Sequence, residues 1–271
     1  MRNFIREKKI YCGEDYREID IVPYSLTQME VARKSKRSKK EKISEPKQKN
    51  LNDKNARRFF IQKVNANFGK NDYHISCTYK DKFLPESHEA ADKIALNFIR
   101  RINYLRKKQG LKPAKFMMVT EVNSRKGERI VRIHHHIIIE GGMPRDSIEE
   151  LWRAHRKKGQ KQGDAFGHIN VDRLKPDDDG LAGLATYLMK NPNGKRRWRS
   201  SQNLINPESR NNDSKYKRRQ IEKIAKQPFD PEFWKKIYPG WHISSEEYGY
   251  NAVYNEQTGW HIYLRLRRDS S

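Results

Sequence analysis

The chain has 271 residues, with 58 Lys+Arg against 34 Asp+Glu and a formal charge of +24. Such a length allows one large domain or two small ones around a buried core, and the positive excess points to a polyanionic partner, nucleic acid before membrane. Cys12 and Cys77 are the only cysteines, which excludes a disulfide scaffold and a Cys-based zinc module. The opening MRNFIREKKIYCGED has no apolar signal core and no run approaches about 18 apolar residues, so a cytoplasmic protein, neither exported nor membrane-spanning, is expected.

Residues 1–30 carry scattered apolar positions that fit a short strand or two. Residues 33–50 (RKSKRSKKEKISEPKQKN) are almost wholly polar and basic. They cannot bury enough apolar surface to offset the entropy of ordering, so they read as a tether or a DNA-tracking arm. In LNDKNARRFFIQKVNANF, Ala56, Phe59, Phe60 and Val64 fall at helical spacing. The alternating, β-rich YHISCTY (73–79) predicts a strand. Ser87 then caps a long helix carrying Ile94, Ala95, Phe98, Ile102 and Leu105, which stops at Gly110 before Pro113. KFMMVTEV (115–122) and RIVRIHHHIII (129–139) read as a hairpin around Gly127. Asp146 with Glu149 opens a helix through Leu151 and Trp152. GHINVDRL predicts a further strand and GLAGLATYLMKN a further short helix.

Strand, helix, strand, strand, helix, strand, helix is the order of an α+β fold. It predicts a ferredoxin-like antiparallel sheet with helices packed on it. Beyond residue 190 the chain turns basic again. A helix is expected over 214–227 and a closing hairpin in NAVYNEQTGWHIYLRLRR, turned at Gly259, with Trp241 and Trp260 in the core. The expected organisation is a basic, partly disordered segment over 1–50, a central domain over 51–210, and a basic C-terminal extension over 211–271.

HHHIIIE, from His134 to Glu140, raises the question of function. Successive strand side chains point to opposite faces, so His134 and His136 share one face while His135 joins the isoleucines on the other. Two imidazoles about 7 Å apart along a strand can converge on one ion. Glu121 on the preceding strand is the candidate third ligand, reached only through an irregular turn, with Glu128 as its substitute. Two histidines and a carboxylate suit Mg²⁺ or Mn²⁺ acting on phosphate, and also Zn²⁺ or Fe²⁺. Further on, Tyr187 and Lys190 lie three apart on a short helix. They are either part of an ordinary apolar stripe with Leu184 and Leu188 or a nucleophile beside a cation.

The strand HISCTY, the R-x-H-x-H pattern in RIHHH and the downstream Y-x-x-K resemble, in order, the three motifs of the HUH endonucleases. Within that superfamily the chain is similar to rolling-circle replication initiators of bacterial mobile elements and phages. LNDKNARRFFIQKVNANF, the hairpin and KRRWRSSQNLINP share in the likeness, which covers about residues 51–210. The resemblance implies the HUH nuclease fold and nicking and joining of single-stranded DNA at a replication origin, with a host helicase as a further partner. Under it, His134 and His136 match the metal-binding histidines and Glu121 the carboxylate ligand of Mg²⁺ or Mn²⁺. Tyr187 matches the nucleophile that takes the 5′ phosphate, and Lys190 the lysine that helps place it. Some relatives carry a second tyrosine one turn on; here that position is Asn191, which implies a single-tyrosine enzyme.

KRRWRSSQN follows directly, and Lys195, Arg196, Arg197, Trp198 and Arg199 are expected to contact DNA, the cations at phosphates and the indole on a base. The alternatives are a relaxase or single-tyrosine transposase with the same chemistry, and a non-catalytic nucleic-acid-binding protein with structural histidines. A zinc hydrolase or iron oxygenase is disfavoured by the charge and by the lack of H-E-x-x-H.

Overall fold

A computed structural model describes residues 3–34, 46–121, 132–190, 197–245 and 248–269. Its elements are α+β with two antiparallel sheets, and its contacts form two compact units. The first comprises Met1–Ala66, Asp177–Ala182 and Ile205–Ser271, and the second Asn67–Pro176 and Gly183–Leu204.

In the first unit β1 (Asn3–Cys12) and β2 (Tyr16–Ser25) form a hairpin, and Gly13 at φ +78° makes its turn. Ser25 and Gln28 then bond reciprocally, Ser25 Oγ accepting from the Gln28 N–H and Gln28 Oε1 from that of Ser25, to start α1 (Leu26–Lys34). α2 (Pro46–Asn67) begins five residues before the expected Leu51, with proline as its first residue. Residues 35–45, the middle of the expected tether, lie outside the described residues.

The remaining strands of this sheet come from the other end of the chain. β8 (Glu208–Asn212) lines β1, while β9 (Trp241–Ile243), β10 (Tyr250–Asn255) and β11 (Gly259–Arg268) extend from β2. α6 (Arg218–Lys226) and α7 (Pro231–Ile237) complete the unit; α7 is capped by Asp230, whose carboxylate accepts from the N–H groups of Glu232 and Phe233. Ile19, Ile21, Ile262, Leu264 and Leu266 share a core with Ile221, Trp234 and Tyr238; Trp241 and Trp260 pack half-buried against it. The buried carboxylate of Glu18 takes hydrogen bonds from Arg58 Nε (2.6 Å), Gln62 Nε2 (2.7 Å) and Tyr16 Oη (3.1 Å). Arg58 also holds Asp20 through two bonds of 2.6 and 2.9 Å, so no charge of this group is left bare.

This grouping differs from a central domain flanked by extensions at 1–50 and 211–271. A two-stranded hairpin is marginal alone and offers two open edges, and here β8 fills one and β11 the other.

The second unit begins with β3 (Tyr73–Cys77) and α3 (His88–Lys108). Ser87 caps α3 by accepting from the Ala90 N–H, and Gly110 at φ +74° ends it. β4 (Phe116–Glu121), β5 (His134–Ile139), α4 (Arg145–Glu149), β6 (Ile169–Arg173), α5 (Ala182–Leu188) and β7 (Arg199–Ser200) follow. Asp146 lies inside the first turn of α4 rather than at its cap, and the helix stops before Leu151 and Trp152, where N–H groups make tighter turn bonds. The sheet order is β6-β3-β5-β4-β7, antiparallel throughout. One face, with Tyr73, Ile75, Met118, Ile137 and Ile139, packs on Ala95, Phe98 and Ile102 of α3 and on Ile148 and Trp152. Each large apolar side chain so buried contributes roughly 1.5–3 kcal/mol. The opposite face carries the buried Met117, Val119 and Ile138 together with His74, His134 and His136.

Candidate metal centre

β5 divides its histidines between the two faces. His135 points into the α3 side and is fully buried. Thr120 Oγ1 donates to Asp92 (2.7 Å), so it accepts from His135 Nδ1–H (2.9 Å), and His135 Nε2 then accepts from Tyr79 Oη–H (2.7 Å). Burial holds the His135 pKa down at about 3, which keeps the ring neutral and matches this pattern of donors and acceptors.

His134 and His136 project from the other face. Glu121 is the direct cross-strand partner of His134, and its Oε2 lies 3.3 Å from His134 Nε2. The pairing runs without a break from Phe116 opposite Ile139 to this pair. Its register is therefore offset from that of a tight turn joining Val122 to Arg129, and the connection spans 122–133. Residues 122–131, Glu128 among them, lie outside the described residues.

Ligand atoms from Glu121, His134 and His136 all fall within 4.8 Å of one another. Hydrogen bonds on the outer side orient both rings. His134 Nδ1 bonds the Arg132 carbonyl at 2.9 Å, which only accepts, so Nδ1 carries a proton and Nε2 faces the Glu121 carboxylate. Two acceptors at that distance repel unless a proton or a cation lies between them. His136 Nδ1 lies 3.1 Å from His74 Nε2, and His136 Nε2 is buried without a hydrogen-bond partner. Burial, with help from His134 and His74, holds the His136 pKa down at about 3, so its lone pair is available at neutral pH.

α5 brings Tyr187 to the same face. Leu188 is buried as the apolar stripe requires, but Tyr187 is 58% exposed, and its ring stands edge-on to His136 with centroids 5.7 Å apart. Tyr187 is thus not a core residue. Lys190 lies exposed two residues past the helix end and meets Tyr187 through the backbone, donating its N–H to the Tyr187 carbonyl. Of the expected DNA contacts, Lys195 and Arg196 lie outside the described residues, as does Asn191, and Arg197 and Trp198 are half-buried. Arg199 is committed elsewhere: its Nε pairs with the buried Asp92 at 2.7 Å, on the α3 side of the sheet.

His74 was missed as more than a strand residue. It belongs to β3, opposite Ile138 of β5 and Asp172 of β6, and its ring is nearly parallel to that of His136, tilted by 16°. Burial lowers its pKa while the charge of Asp172 raises it. Alternation in YHISC places His74 and Ser76 on one face, which was the available signal. Comparison with protein families, with curated proteins and with solved structures finds no match. Among the described residues, no helix is long and apolar enough to cross a membrane.

Proposed function

We propose that the second unit is an HUH-type endonuclease and strand transferase. It nicks single-stranded DNA at an origin through Tyr187 and so starts rolling-circle replication. The observation that carries this reading is the edge-on placement of Tyr187 beside His136, in a cluster whose other members are His134 and Glu121. The neighbour order β6-β3-β5-β4, with α3 between β3 and β4 and α4 between β5 and β6, supports a ferredoxin-like sheet of two interleaved strand–helix–strand units. The charge of +24 supports a nucleic-acid substrate.

His134, His136 and Glu121 would hold Mg²⁺ or Mn²⁺, which supplies Lewis-acid stabilisation of the charge that grows on the scissile phosphate. The Tyr187 phenol oxygen forms a bond to phosphorus as the bond to the 3′ oxygen breaks. The phenol proton leaves to solvent, and the departing oxygen takes one up as a 3′ hydroxyl. The product keeps the energy of the phosphodiester as a phosphotyrosine, which a later hydroxyl can attack to reseal the strand.

Incubation with Mn²⁺ and labelled single-stranded oligonucleotides is expected to give a protein–DNA adduct on a denaturing gel. Tyr187→Phe should abolish it. His134→Ala with His136→Ala should abolish cleavage and leave salt-sensitive binding largely intact. An adduct that persists in Tyr187→Phe removes the nucleophile, and binding without any adduct across many origin-like sequences favours a non-catalytic nucleic-acid-binding protein.

A further inference from the structure

The first unit holds a cavity of about 600 Å³, lined in part by Lys54, Arg58, Tyr248, Tyr250, Tyr263 and Arg265. We infer that this cavity is a second nucleic-acid site, which takes a base and its flanking phosphates from a single strand independently of the metal centre.

The lining has the two components that such a ligand requires. Aromatic faces stack on any base, and cations follow the backbone. Tyr250 turns its ring to the other face of the sheet, into the core with Phe229 and Trp234, so the stacking faces are those of Tyr248 and Tyr263. Tyr263 directs its hydroxyl to His261 Nδ1, 3.5 Å away, and is the cross-strand partner of Asn251, which also lines the cavity. Tyr248 is 57% exposed, and its N–H donates to Ser245 Oγ. Rings held in this way lose little freedom when a base stacks on them.

The charge balance favours an anion. Glu18, the acid of the lining, already receives three donors, and both Asp20 oxygens are taken by Arg58. Lys54 and Arg265 form no ion pair among the described residues. Two cations without an ion pair among the described residues, beside two tyrosines, leave the cavity positive and aromatic. The volume lies in the ordinary range of a small-ligand pocket, about 300–1,000 Å³. An inorganic anion would use the cations and leave the tyrosines idle, whereas a nucleotide unit uses both.

The test is binding of labelled oligo(dT) and oligo(rU) in EDTA, followed by anisotropy, with photocrosslinking of 5-iodouracil oligonucleotides read by mass spectrometry. Crosslinks are expected on Tyr248 or Tyr263. Tyr248→Ala with Lys54→Ala, both at exposed positions, should weaken binding about tenfold. Lys54→Ala alone should lower the slope of log affinity against log salt by about 0.7. Tyr263→Phe should bind as the parent does, while Tyr263→Leu loses affinity; if Tyr263→Leu does not fold, the exposed pair carries the test. Crosslinks confined to 67–204, with affinity unchanged in the exposed pair, would overturn the proposal. Binding in EDTA and crosslinks to the first unit are read without cleavage, so failure here and failure of the nuclease reading are separate results.

Discussion

A neutral imidazole has one N–H and one lone pair, so whatever fixes the outer nitrogen decides what the inner one offers. At His134 the outer partner is the Arg132 carbonyl, and at His136 it is a second histidine, His74, within reach of the Asp172 charge. Outer partners of this kind keep a ligating nitrogen aimed and basic, and their loss typically costs 10–100-fold in metal affinity. His74→Phe should therefore weaken Mn²⁺ binding by about that factor, measured on the free protein by spin-resonance titration without DNA. His74→Gln can still accept from His136 Nδ1–H and should retain most of the affinity. Equal affinity in parent and His74→Phe would assign His74 to packing alone.

At the scale of elements, the buried chain Tyr79–His135–Thr120–Asp92–Arg199 links β5, β4, α3 and β7 through bonds of 2.7–2.9 Å. It works only with His135 neutral. The folded pKa of about 3 lies below the ordinary 6.5, so the neutral ring's contribution to stability is complete above about pH 6.5. It is lost as the pH falls from there towards 3, because unfolding takes up a proton. Urea midpoints in EDTA should drop over this window, and His135→Gln should make the drop shallower; His136, also near 3, and the lowered His74 and His261 contribute in the same direction. An identical pH slope in His135→Gln would place the acid lability elsewhere.

The same strand shows what could be read from the chain. Alternation in HHHIII separated His135 from its neighbours, and Ser87 and Gly110 bounded α3, because these signals are local. The facing of Glu121 and His134 was not legible, since it depends on a register set by the whole sheet. β8, ESRNN, is exposed at every position and bonded through its backbone to β1, so it leaves no apolar pattern to find. α1 and α7 did carry signals that went unused, Ser25-x-x-Gln28 and Asp230-Pro231.

At the scale of the molecule, the first unit is discontinuous, with strands from both ends of the chain in one sheet. A chain ended after Asn212 would lack β9, β10, β11, α6 and α7, which bury Ile19 and Ile21, and also Lys215 and Tyr238, which bond the buried Glu7. Limited proteolysis should then degrade residues 1–66 quickly while a fragment near 67–204 persists. A protected N-terminal fragment in that chain would contradict the division into these units.

The pairing of β2 with β11 also sets a schedule for synthesis. β1 and β2 leave the ribosome well before β11, so Ile21 meets Ile262 only once β11 has been made. At about 5–20 residues per second the wait is on the order of tens of seconds, during which β2 offers an open edge to any passing strand. The second unit, contiguous apart from one short excursion at Asp177–Ala182, can fold within that interval. In a nascent chain the β2 edge therefore stays open until β11 has emerged.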